Sequence, residues 1–194
     1  MNKIKEKYDY EQKNISDINE HISTLYEYGL KCSHITEMGV RWVSSTWAFL
    51  YSNPNKLISY DIVKDANVNE VISLSKEYGI NYEFIESDVL NINIEQTDLL
   101  FIDTLHTYNQ LLSELKLHST KVNKYIILHD TVSYGQIDEQ VYNHASPIVK
   151  NMENNKTGLT NAINDFLLLD VGKTWFVSKE FKNNNGLTVL EKKI

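Results

Sequence analysis

Short, nearly continuous apolar runs alternate with stretches of helical spacing over most of this chain. Ile18, Ile22, Leu25 and Tyr26 recur on one helix face, and Ser16 ahead of them suits an N-cap, so the pattern predicts a helix over 16–30. A short strand over 34–39 follows and ends in a glycine turn. Residues 44–51 read as a helix with Trp47, Leu50 and Tyr51 sharing a face, and 57–61 as a second strand. Residues 67–78 form a further helical stretch with Val71, Leu74 and Tyr78 inward and Gly79 at its C-terminal end. Strands over 82–86, 98–103 and 124–129 continue the series, with Leu111, Leu112 and Leu115 marking a helix over 108–118. The 98–103 run is apolar almost throughout, as expected of a strand buried on both faces.

This alternation predicts an α/β fold: a Rossmann-like, doubly wound, mostly parallel sheet with helices on both faces. The last quarter breaks the rhythm. A helix over 158–169 is followed by strands at 175–178 and 187–190, joined across Asn183-Asn184-Asn185-Gly186. Asn-Gly is a strong turn signal, so these two strands pair antiparallel and bring the sheet to seven strands. Residues 1–14 are charged and aperiodic and read as a loose arm, leaving one domain over 15–194. Residues 131–157 show no period, and a loop that long in a compact domain is usually functional, so it is a candidate substrate lid.

Composition narrows the function classes. With 194 residues, 42% hydrophobic and 23% charged, the chain suits a folded single domain rather than disorder. A net charge of −7 argues against a phosphate-coating nucleic-acid binder. No apolar run approaches a membrane span and no signal-peptide core is visible. The single cysteine, Cys32, precludes an intrachain disulfide, so a cytoplasmic setting is expected. Homo-oligomerisation stays open.

Candidate chemistry comes from where the acids fall. Ligands of open α/β sheets bind outside the carboxyl ends of the strands. Glu37 ends the first predicted strand, Asp61 the second, Asp103 the fourth and Asp130 the fifth, while Asp88 lies just past the third. The turn Glu37-Met38-Gly39-Val40 lacks the second and third glycines of a dinucleotide fingerprint, which a pyrophosphate needs for close backbone approach. A ligand without phosphate, such as S-adenosylmethionine, tolerates this looser turn, and Asp61 stands where an acid would bond ribose hydroxyls.

The segments Glu37-Met38-Gly39, Tyr60-Asp61, Ser87-Asp88 and Phe101-Ile102-Asp103 resemble the successive motifs of class I S-adenosylmethionine-dependent methyltransferases. Asp103-Thr104-Leu105-His106 and His129-Asp130 bring the resemblance closer to the branch of catechol-type, macrocin-type and cephalosporin-hydroxylase-like O-methyltransferases. It covers roughly residues 30–192. The resemblance implies an enzyme that methylates a hydroxyl of a sugar, another glycan or a small molecule. Glu37, Gly39, Val40, Ser45, Tyr60, Asp61, Ser87, Asp88, Val89 and Asp103 would then face the cofactor. In metal-dependent members of that branch a divalent ion bridges the strand-four and strand-five acids, here Asp103 and Asp130. Oxygen ligands suit Mg²⁺, and His129 as a third ligand would shift the preference toward Mn²⁺. Two departures stand out: Trp42-Val43 in the first loop where a glycine is usual, and a histidine at 129 where an acid is expected.

Methyl transfer to oxygen needs a positioned acceptor and a group to take its proton. Asp103 and His106 are the catalytic candidates, with a neutral His106 imidazole as base, or else as an orienter of Asp103. His118 is expected to complement a helix dipole, His21 to lie on a helix surface, and Tyr134, Tyr142 and His144 to be available to an acceptor pocket. Trp42 and Trp47 either cover the adenosine or belong to the core. Two other readings use the same sheet: a non-catalytic adenosylmethionine-binding or regulatory module, and a nucleotide-dependent oxidoreductase.

Overall fold

The computed structural model describes residues 2–141, 145–150, 152 and 156–193. Its strands are β1 (His34–Met38), β2 (Lys56–Asp61), β3 (Tyr82–Glu86), β4 (Thr97–Ile102), β5 (Val122–His129), β6 (Trp175–Phe181) and β7 (Leu187–Lys192). They form one seven-stranded sheet in the order β3-β2-β1-β4-β5-β7-β6. β1 pairs in parallel with β2 and β4, β2 with β3 and β4 with β5. β7 runs antiparallel to β6, as the Asn-Gly turn between them requires, and also antiparallel to β5. The chain reverses its direction of travel across the sheet between β1 and β4, and this is where the loops part to leave a crevice.

Side-chain alternation along the strands makes two cores. Ile35, Leu99, Phe101, Ile127 and Val189 face one layer of helices, α1 (Lys3–Lys13), α2 (Ile22–Gly29), α3 (Ser44–Tyr51) and α4 (Val68–Glu77). Ile58, Leu100, Ile102, Ile126 and Leu128 face the other, built from α5 (Tyr108–His118) and α7 (Leu159–Leu168). Cys32 lies in the first core, and burial pushes its thiol up to about 12, leaving it unreactive.

The N-terminal segment departs from the expected loose arm. Asn2 caps α1 by accepting from the Ile4 and Lys5 N–H groups at 3.0 and 3.3 Å. Ile4 and Tyr8, one helical turn apart, are buried, and the Tyr8 ring packs 5.3 Å from Tyr26 and 4.8 Å from Tyr51. Two apolar positions in a charged segment are too few to reveal a period, although they suffice to dock one face. The helix expected over 16–30 begins later: Asn19–His21 is a 3₁₀ turn ahead of α2, and the Ser16 hydroxyl accepts from the Ile18 N–H, at 3.3 Å, rather than from a helix N–H.

Residues 131–141 fold back over the carboxyl ends of β4 and β5, and the only helix in the following stretch is the short α6 (Pro147–Lys150), among the described residues. Asp138 fastens this return by accepting from the N–H groups of Tyr108 at 2.8 Å and Gly158 at 2.7 Å. Tyr142 and His144 lie outside the described residues. No helix among the described residues is long and apolar enough to cross a membrane.

Truncating Tyr8 checks the docking of α1. Tyr8→Ala is expected to lower unfolding free energy by about 3 kcal/mol in urea titrations. A change within about 0.5 kcal/mol, as at a surface position, would show that the segment is a loose arm after all.

Candidate active site

A cavity of about 750 Å³ opens at the crevice between β1 and β4. Gly39, Tyr60, Asp61, Asp88 and Val89 line one wall. Gly39 has φ +84°, and a side chain there would overlap the Asp103 carbonyl, so glycine is required by both backbone and space. The loop it opens is strained: Arg41 and Val43 also hold positive φ, 43° and 67°, and Val43 is β-branched. Asp61 stabilises that loop. Its Oδ2 accepts from the N–H groups of Val40 at 2.7 Å and Arg41 at 3.1 Å, and its Oδ1 from Val63 at 3.1 Å. Asp88 accepts from the Leu90 N–H at 3.0 Å and from the Asn91 amide at 2.9 Å, which starts the 3₁₀ turn Val89–Asn91.

Asp103, His106, Asp130, Tyr134 and Glu139 line the opposite wall. His106 is their hub. Its Nε2 lies 3.0 Å from Asp103 Oδ1 and 3.1 Å from Asp130 Oδ2, and its Nδ1 lies 2.8 Å from Glu139 Oε2. Carboxylates only accept, so both ring nitrogens carry hydrogen and the ring is an imidazolium. Its pKa is raised to about 10: burial opposes the charge, and the hydrogen bonds and charges of Asp103, Glu139 and Asp130 overcome it. Tyr134 stacks on the ring at 5.0 Å with planes 3° apart. On Asp103, burial works against the charge, but His129 and His106 prevail and hold its carboxyl well below the usual range. Burial raises the pKa of Asp130 despite the two histidines.

His129 adds a second imidazole, with Nδ1 3.3 Å from Asp103 Oδ1 and 3.8 Å from Asp130 Oδ1. One ligand atom each from Asp103, His129 and Asp130 can be chosen so that all lie within 4.8 Å of one another. Asp130 Oδ1 is buried and has no hydrogen-bond partner among the described residues. Two carboxylates, one of them with an unsatisfied oxygen, and one nitrogen make a donor set that fits a divalent cation.

No protein-family model matches this sequence, and no curated protein matches it. Solved structures do match. A Podospora anserina methyltransferase bound to SAH superposes with a TM-score of 0.61 at 15% identity, over 98% of this chain and 88% of that one. An O-methyltransferase from Bacillus cereus in complex with SAH gives 0.64 at 13% identity, over 98% and 90%. The 1,6-didemethyltoxoflavin-N1-methyltransferase of Burkholderia thailandensis gives 0.64 at 9% identity, over 92% and 79%. The chain has the class I methyltransferase fold.

Within this methyltransferase fold the expected cofactor residues divide. Gly39, Tyr60, Asp61, Asp88, Val89 and Asp103 reach the cavity. Glu37 and Ser45 do not line it. Glu37 shares the inward face of Ile35 and is fully buried, accepting from the hydroxyls of Ser45 at 2.6 Å, Thr46 at 2.8 Å and Ser59 at 2.5 Å. It ties β1 to α3 and β2. Val40 turns its side chain inward and contributes its N–H to Asp61, and Ser87 donates its N–H to the Asp61 carbonyl at 2.8 Å without lining the cavity. Trp47 is core, whereas Trp42 is exposed with the Arg41 guanidinium 4.0 Å over its ring.

The structure departs from the expected neutral His106, for the reason just given. His21 is buried rather than superficial and packs edge-on 5.8 Å from His129, while His118 ends α5 as expected and is buried, its Nε2 meeting the Val89 carbonyl at 2.9 Å. Other residues that line the cavity escaped the sequence reading, Glu139, Arg41 and Asn185 among them. Glu139 comes from the aperiodic return, and Arg41 carried no spacing signal. Asn185, at φ 69° in the β6–β7 turn, lines the cavity, and its carbonyl accepts from the N–H groups of Val132 and Ser133 at 2.8 and 3.0 Å. Only the Asn-rich turn composition hinted at this last one.

Burial pushes the Glu37 carboxyl up to about 7 against its three hydroxyl donors. A raised folded pKa means that the unfolded chain releases the proton first. The favourable contribution is therefore complete below about pH 4.5 and is lost as pH rises to about 7. Glu37→Gln should reduce the stability difference between pH 5 and pH 8 by roughly 3 kcal/mol in urea titrations. An unchanged difference would contradict the burial of a titrating Glu37.

Proposed function

We propose that this chain is an S-adenosylmethionine-dependent methyltransferase acting on a hydroxyl of a small molecule, sugars included. One observation carries the reading: a single cavity of about 750 Å³ at the strand switch point joins the Gly39, Tyr60, Asp61 and Asp88 wall to the Asp103, His106 and Asp130 wall. The fold supports it, since the Podospora anserina and Bacillus cereus structures that share it hold SAH.

Bound adenosylmethionine supplies a methyl already activated on a sulfonium, which leaves the protein to hold two reactants and to manage one proton. Among the described residues Asp61 Oδ1 accepts from one N–H, that of Val63, and so keeps acceptor capacity for ribose hydroxyls. The acids of both walls favour a cationic ligand over an anionic one. On the acceptor side, the proton goes to the Asp103–His106–Asp130 cluster rather than to a lone imidazole, because contacts of 3.0 and 3.1 Å let these groups share it. Asp103, His129 and Asp130 would hold a divalent cation able to acidify the acceptor hydroxyl, and the nitrogen ligand favours Mn²⁺ over Mg²⁺.

A nucleotide oxidoreductase finds no support in the first loop. Arg41 and Ser44 stand where the second and third glycines of a dinucleotide loop would be, and Asp61 already takes the Val40 and Arg41 N–H groups.

Calorimetric titration of the full chain with S-adenosylmethionine and S-adenosylhomocysteine tests the reading. Both should bind, and Asp61→Ala should weaken both by roughly tenfold or more, since one charge-assisted hydrogen bond contributes about 1.5–3 kcal/mol. Absence of binding by either compound, or binding of a reduced nicotinamide dinucleotide in their place, would refute it.

A further inference from the structure

Behind the charged cluster, on the α5 side of the sheet, lies a second cavity of about 10 Å³. Glu114 and His129 both line it, and Leu111, Leu128 and Leu159 supply an apolar wall. Glu114 projects from α5 and is fully buried. Its Oε1 accepts from the Thr104 hydroxyl at 2.6 Å and from the Gln110 amide at 2.7 Å. Its Oε2 has no hydrogen-bond partner among the described residues, and neither has Nε2 of His129, which is 2% exposed.

Buried polar atoms without partners are rare because each forfeits its hydration. Here two of them belong to residues that share one small cavity. Its size admits about one water, and a buried water needs at least two polar partners. An acceptor oxygen and a ring nitrogen provide that pair. A carboxylate on the far side of a histidine is also the usual means of fixing the ring's orientation and tautomer.

We propose that one internal water joins Glu114 Oε2 to His129 Nε2, and that Glu114 acts through it as a positioning residue for His129. The water donates one hydrogen to Oε2. With hydrogen on Nε2, the water accepts from the ring, and Nδ1 is left to offer its lone pair to a cation held with Asp103 and Asp130. Thr104, next to Asp103 in sequence, holds the other Glu114 oxygen, so one carboxylate steadies both the β4 end and the His129 ring. The water link stands on the cavity and its two unpartnered atoms. Its consequence for cation binding rests on the reading of Asp103, His129 and Asp130 as ligands.

Two measurements on the full chain test this. A high-resolution crystal structure should show an ordered water within hydrogen-bond reach of both Glu114 Oε2 and His129 Nε2. A dry cavity, or direct contact between the two side chains, overturns the proposal. Mn²⁺ binding to chelator-treated protein, read from the free-ion electron paramagnetic resonance signal, should weaken roughly tenfold to a hundredfold in Glu114→Gln and Glu114→Leu. Adenosylmethionine affinity should not change. Glu114→Gln retains shape and the Oε1 contacts, so it decides the matter if Glu114→Leu does not fold. Unchanged Mn²⁺ affinity in a folded variant overturns the positioning role. If the unaltered protein takes up no Mn²⁺, the cation-site reading fails instead. The water in the cavity then decides alone: present, it supports the link, and absent, it overturns it.

Discussion

Carboxylates brought together out of water repel one another and forfeit their hydration unless a cation sits among them. At the carboxyl ends of β4 and β5 that cation is the His106 imidazolium, within 2.8–3.1 Å of Glu139, Asp103 and Asp130. Much of the surrounding chain serves this arrangement. The 131–141 return brings Glu139 to Nδ1 and Tyr134 to the ring face. Asp130 adopts φ 58° at the end of β5, a left-handed conformation disfavoured for a residue other than glycine, and its position beside His106 compensates. The imidazolium thus links the paired ends of β4 and β5 to the 131–141 return, which no strand ladder joins to them.

The sheet supplies the platform. Divergence of the chain between β1 and β4 opens the crevice, and Gly39 lets the first loop come against the Asp103 carbonyl. The two walls therefore meet where Gly39 lies against the Asp103 carbonyl. The β6–β7 turn closes the far side. Asn184 binds the Ser16 carbonyl and the Glu20 N–H, Asn183 meets the Glu20 carboxylate and His21, and Asn185 reaches the cavity. A C-terminal hairpin and an N-terminal segment thus jointly brace a site made by the central strands.

Legibility in the sequence followed the range of the interactions. The strands were visible because those buried on both faces are local apolar runs, and β4 at 97–102 is the clearest case. Asp61, Asp88, Asp103 and Asp130 were visible because strand ends are where an open sheet presents ligands. Glu37 obeys the same positional rule and yet lies in the core, because strand parity places it beside Ile35 and the three hydroxyls that donate to it come from α3 and β2. The protonation of His106 was hidden for the same reason. One of its partners, Asp103, is three residues away, but Glu139 is thirty-three residues on in a segment without period. α1 was missed because two apolar residues carry its docking.

The most direct measurement is the long-range ¹H–¹⁵N correlation spectrum of the His106 ring at pH 8, in chelator-treated protein with the assignment fixed by His106→Gln. An ordinary histidine is neutral there, with one protonated and one bare nitrogen. A ring held among three carboxylates, with its pKa at about 10, should instead show two protonated nitrogens of similar shift. A neutral tautomer at pH 8 would contradict the charge arrangement on which this account of the site depends.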